Sequence, residues 1–138
     1  MPPRGFTTAE AVVALSLLVA ILASLGQAVF SATRATTRAA ARSTAVILAL
    51  DKMEQLRALK WTIDAGGAPV SDPALASSPA DALQRDVAGY MDARAGYVRR
   101  WTVRPLSGSA DTLVLVVRVI ARGGVEAQVA TVRTRRGN

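Results

Sequence analysis

The 138-residue chain is 51% hydrophobic but only 4% aromatic, carries a formal net charge of +7, and contains neither cysteine nor histidine. That length leaves room for one small domain beyond any membrane segment. Without cysteine there are no disulfide staples, thiolate nucleophiles or Cys-ligated zinc, and without histidine the usual general base and the commonest metal ligand are missing. The inventory points away from an enzyme: its carboxylates are scattered through turns, and no nucleophile–base pair, metal-ligand spacing or cofactor motif appears.

The chain opens with Arg4-Gly5-Phe6-Thr7-Thr8-Ala9-Glu10, and residues 11–33 that follow hold no charge and no proline. At about 1.5 Å per helical residue, this run measures about 34 Å, enough to cross a hydrocarbon layer of about 30 Å. Glu10 stands where that helix meets the bilayer. A carboxylate there is costly without a cation, so an acid in this place is a functional candidate by default. No cation follows on the helix until Arg34. An α-amine exposed by cleavage shortly before Glu10 would supply one. A secretory signal fits poorly, because the apolar run is too long and Phe30-Ser31-Ala32 is no small-x-small site.

Gly5-Phe6-Thr7-x-x-Glu10 followed by such a run resembles the processing site of type IV prepilins and pseudopilins. The resemblance implies that a prepilin peptidase cuts between Gly5 and Phe6 and that Phe6 becomes the N-methylated first residue. It also implies that Glu10, fifth in the mature chain, pairs with the N-terminal amine of a neighbouring subunit during assembly. Thr8 and Ala9 stand where the family usually has larger apolar residues. The segments around Ala39-Ala40-Ala41-Arg42, Lys52-Met53-Glu54-Gln55-Leu56-Arg57 and Arg100-Trp101 are similar to minor pilins of the PilV type and minor pseudopilins of the GspI type. Such subunits are thought to start or cap a type IV pilus or type II secretion pseudopilus. The implied partners are other minor and major pilins or pseudopilins, the peptidase and the inner-membrane assembly platform. The implied location is the bacterial inner membrane, single-pass, with the globular part in the periplasm.

Helical character continues past the membrane edge, since residues 33–61 contain no Pro or Gly and are rich in good helix formers. Gly26 is the weakest point of the long helix, and local melting there during assembly is expected. Arg34, Arg38 and Arg42 recur every four residues as one basic stripe, which suits a solvated face or headgroup phosphates better than nucleic acid. The positive-inside rule would put this stripe in the cytoplasm, opposite to what the resemblance implies. Val46, Ala49, Leu50, Met53 and Leu56 form an apolar face expected to cover a sheet.

Residues 62–94 read as a loop rich in Asp, Gly, Ser and Pro, with a possible short helix over 79–86 capped by Ser78. Beyond it, the period-two alternation from Tyr97 to Arg104, the β-branched run of 112–121 and the segment 125–133 predict three antiparallel strands. Gly123-Gly124 predicts a tight hairpin between the last two. The expected architecture is α+β and pilin-like: leader 1–5, membrane half-helix 6–33, and a globular domain 34–138 in which helix to about 61 packs on a sheet of about three strands within 96–135.

Charge is uneven. Residues 51–92 are net acidic and 93–138 strongly basic, a pattern suited to complementarity between subunits. Arg99, Arg100, Arg104, Arg118 and Arg122 could instead offer phosphate contacts to a nucleic acid, as in a competence-type pseudopilin. A simple signal-anchored periplasmic protein is the remaining alternative.

Overall fold

The computed structural model describes residues 7–121, 124 and 126–137. The chain divides into two units, Met1–Ala39 and Ala40–Asn138. One helix, α1 (Thr8–Ala58), runs from the first into the second. In the first unit the helix stands alone, and every described residue from Thr7 to Ala39 is exposed. An 18-residue window of α1 reaches a mean hydropathy of 2.3, so the helix is long and apolar enough to cross a membrane. Gly26 sits in unbroken helix, and a Cβ added there would meet nothing within 4 Å.

The second unit is built on a four-stranded antiparallel sheet in the order β3 (Met91–Arg94), β4 (Tyr97–Leu106), β5 (Ser109–Ala121), β6 (Glu126–Thr134). The architecture is thus α+β, as expected. The β-branched β5 lies between two partners and is apolar towards both faces, which is what a central strand needs. The register sets Trp101 opposite Val117 and Val103 opposite Leu115 on the inner face. These side chains join Leu113, Val119 and Ala127 in a core closed by Ala45, Ala49, Met53 and Leu56 of α1. Leu115, Val103, Val117 and Val119 are fully buried.

The helix face differs from the expected one by a small rotation. Ala45 is buried whereas Val46 and Leu50 are 37% and 47% exposed. The small side chains of Ala45 and Ala49, both fully buried, lie on the face that joins the core.

The expected sheet of about three strands was too small. Among the described residues there are two sheets, and the second has the order β2 (Pro69–Ser71), β1 (Trp61–Ile63), β7 (Arg136–Gly137), with β1 and β7 parallel. The extra fourth strand of the main sheet, β3, is short and polar, so it carries no apolar alternation. It is brought into register by a two-residue turn in which Ala95 and Gly96 both have positive φ, 52° and 82°. That is the turn whose twist suits a hairpin, although Ala95 is an unusual residue for it.

The helix ends at Ala58 rather than near 61, because Trp61 enters β1 and buries its indole in the core. Arg133 of β6 reaches across and donates to the Leu56 and Leu59 carbonyls at 3.2 and 2.7 Å, satisfying acceptors that a helix end leaves open.

No helix forms over 79–86. Those residues make successive turns, and the one described helical piece of the loop is a 3₁₀ turn at Pro73–Leu75 with Asp72 as its cap. Ser78 does not cap a helix because it is stitched to β4: its N–H donates to the Val103 carbonyl and its Oγ accepts from the Val103 N–H. The Gly123-Gly124 hairpin lies mostly outside the described residues, although Gly124 has φ 81° and its N–H donates to the Ala121 carbonyl.

Candidate functional site

Gly5 and Phe6, the expected cleavage and methylation positions, lie outside the described residues. The description begins at Thr7, and the helix start is built from Thr7 and Glu10. The Ala11 N–H donates to the Thr7 carbonyl at 3.1 Å, and the Glu10 N–H donates to Thr7 Oγ1 at 3.3 Å. Thr7 is therefore the N-cap and Glu10 the third helical residue, the spacing of a capping box. That spacing is plain in the sequence as Thr-x-x-Glu. Only half of the box forms, because the Glu10 side chain makes no bond back to the Thr7 N–H. Among the described residues its carboxylate has no hydrogen-bond or ion-pair partner. An acid in the first turn favours the helix dipole by roughly 0.3–1 kcal/mol, less than the cost that a carboxylate would meet inside a bilayer.

The basic surface expected on the sheet is divided by strand alternation. Arg99 lies on the inner face beside Trp101 and is 4% exposed. Its guanidinium grips Asp92 at 2.6 and 2.9 Å and reaches Asp51 of α1 at 2.9 Å. Lys52 adds a second cation, 3.3 Å from Asp92 and 3.6 Å from the Trp101 ring centroid. Arg94 meets Asp51 from the rim at 3.0 Å. Burial pushes the Asp92 carboxyl up, but hydrogen bonding and charge from Arg99, with help from Lys52, outweigh it and hold Asp92 below its ordinary value. The hydrogen bond to Asp92 raises Arg99 against the opposing effect of burial, with Asp51 adding to the rise. This cluster clamps helix to sheet. For Arg99 to meet a phosphate it would have to abandon both carboxylates.

Arg100, Arg104 and Arg118 point to the other face, and Arg100 stands opposite Arg118 in the register. Arg100 donates to Asp86 and to the Leu83 and Gln84 carbonyls, and Arg104 donates to the Ala80 carbonyl at 2.7 Å. These bonds hold the turns of 79–86 against the sheet and explain why those carbonyls are not spent on a helix. Arg118 donates to Gln128 on the neighbouring strand. Arg122 lies outside the described residues.

The acids of the middle segment are likewise used within the second unit. Asp51 and Asp92 bind Arg99, Glu54 binds Arg57, Asp81 binds Arg85 and Asp86 binds Arg100, and within the basic stretch Asp111 binds Arg135. Asp64 and Asp72 accept backbone N–H groups in their own turns. An acidic stretch and a basic one, read from sequence as surfaces for neighbouring subunits, are in part each other's partners, through Asp51, Asp86 and Asp92 with Arg94, Arg99 and Arg100. Chain order concealed this, because the pairs span up to 48 residues and form only once the sheet register is set.

No group of three or more acidic residues able to hold a metal ion occurs among the described residues. In comparisons with protein-family models, with curated proteins and with solved structures, nothing matches this chain.

Proposed function

We propose that this protein is a pilin-like structural subunit, a minor pilin or pseudopilin that helps start or cap a filament assembled from the inner membrane. The observation that carries the reading is the Glu10 carboxylate, which has no partner among the described residues at the head of an apolar helix, directly after the Gly5-Phe6-Thr7 motif. An α-amine created at Phe6 by cleavage is the cation this acid needs, and a neighbouring subunit in a filament brings one into reach. The globular unit supports a structural role. Arg99, Arg100, Arg104 and Arg133 are spent on holding helix, loop and sheet together, which leaves the apolar helix as the part that requires company.

Replacement of Glu10 tests this in the cell that makes the filament. Glu10→Gln retains the capping-box chemistry but removes the charge. The reading expects it to lower incorporation into sheared filaments at least tenfold with unchanged membrane level. Incorporation equal to that of the unaltered chain would refute it.

A further inference from the structure

Just beyond the apolar run, the first unit carries a cationic patch made by Phe30, Thr33, Arg34, Thr37 and Arg38, which line a shallow open groove of about 480 Å³. Arg34 folds back along the helix so that its Cζ lies 4.0 Å from the Phe30 ring centroid. Helical side chains lean towards the N-terminus, so this contact lowers the guanidinium towards the apolar run. The hydroxyls of Thr33 and Thr37 donate to the Val29 and Thr33 carbonyls. The two guanidinium groups are therefore the donors of the patch. Neither makes an ion pair among the described residues.

We propose that Arg34 and Arg38 bind the phosphates of anionic phospholipids where α1 leaves the membrane. The proposal rests on residues 11–33 being a membrane span. A headgroup layer is about 5–7 Å deep on each side of the hydrocarbon. Four helical residues rise about 6 Å, so Arg34 and Arg38 sit at the bottom and top of that layer. Phe30 lies one turn below, where aromatic rings gather at the interface. A guanidinium forks onto phosphate oxygens with two parallel N–H bonds, a geometry that suits both positions.

Lipid is favoured over a second copy of this chain as the occupant. Asp51, Glu54, Asp64, Asp72, Asp81, Asp86, Asp92 and Asp111 already accept bonds inside the subunit. Among the described acidic side chains only Glu10 is left over, at the opposite end of the apolar run. A neighbouring copy thus offers little carboxylate to meet this patch.

The test uses the full chain reconstituted in phosphatidylcholine vesicles, with spin-labelled phosphatidylglycerol or spin-labelled phosphatidylcholine as the reporter. The ratio of their association constants measures preference for the anionic headgroup. A preference of roughly fivefold per arginine is expected at low ionic strength. Arg34→Gln with Arg38→Gln should bring the ratio to about one, whereas Arg34→Lys with Arg38→Lys should keep most of it. Equal association of both lipids with the unaltered chain overturns the proposal, as does retained preference in the double Gln variant. Loss of preference on adding inorganic phosphate at constant ionic strength also overturns it, because the patch would then be a site for the free ion. Carbonate-resistant insertion into pure phosphatidylcholine is read separately. A chain that inserts there without anionic preference loses only the patch, and one that does not insert loses the membrane span as well.

Discussion

The two units solve the problem of side-chain company in opposite ways. In Ala40–Asn138 the apolar side chains of α1 and the sheet close on each other, and cations meet carboxylates across long sequence separations. In Met1–Ala39, large apolar residues such as Leu15, Leu22, Leu25 and Phe30 are 57–66% exposed, while Glu10, Arg34 and Arg38 lack ionic partners among the described residues. An exposed apolar face this long marks a surface made for lipid or for other proteins. The contrast teaches that one half of α1 is packed into a core while the other leaves its apolar side chains exposed.

That contrast can be broken by substitution. The largest effect is expected in the core of the second unit, where Leu115 is fully buried. Leu115→Ala should cost about 2–5 kcal/mol in chemical denaturation, through lost burial and the cavity it leaves. The equivalent Leu22→Ala in the first unit, where Leu22 is 60% exposed, should leave that transition unmoved. A shared loss would show that the two units unfold as one.

Removing Arg99 comes next. Arg99→Ala leaves Asp92 and Asp51 without their main counter-charge, and a loss of about 2–3 kcal/mol is expected, below the fully buried case because both acids are partly exposed. Arg104→Ala, which frees one loop carbonyl to water, should cost under about 1 kcal/mol. If the two losses were equal, the clamp would have no special role.

Acid sharpens the same point. The Asp92 carboxyl is held lower in the folded protein than in the unfolded chain, so its contribution is present above the ordinary carboxylate value of about 3.9. It is lost as pH falls through the lowered folded value, because the unfolded chain then takes up protons first. Arg99 is raised mainly by the same bond to Asp92, so it stays charged in acid and the loss comes from the carboxylate side of the pair. The urea midpoint of the second unit should therefore drop below about pH 4, and Asp92→Asn should flatten that drop while lowering the plateau.

The smallest effect belongs to Gly26. A Cβ there meets open space, so Gly26→Ala should stabilise isolated helix by up to about 1 kcal/mol without altering the second unit. Amide exchange in assembled filaments would show whether local melting at Gly26 accompanies assembly.

What could be read beforehand followed from period and composition. The long helix, the apolar run, β4 to β6 and the inner face of Ala127 and Val129 all announce themselves through spacing of three to four or of two. β3, β1 and β7 did not, since two to four residues carry no period: β3 is held as the hairpin partner of β4 across a two-residue turn, and β7 by pairing with β1 from the far end of the sequence. Arg99 looked like its neighbours Arg100 and Arg104 as a surface cation. Alternation alone placed it on the face of Trp101, and that should have argued for a buried partner. Glu10 was legible because an acid at the head of such a run has no local explanation. Its half-formed capping box was legible too, and shows that one residue can serve the helix start through its backbone while its carboxylate stays unspent.

The central claim is that the chain acquires a new amine close to Glu10. Intact mass of the membrane-extracted protein, from cells containing a prepilin peptidase, measures this directly. A chain beginning at Phe6 with one added methyl group is the predicted result; a chain still beginning at Met1 would contradict it.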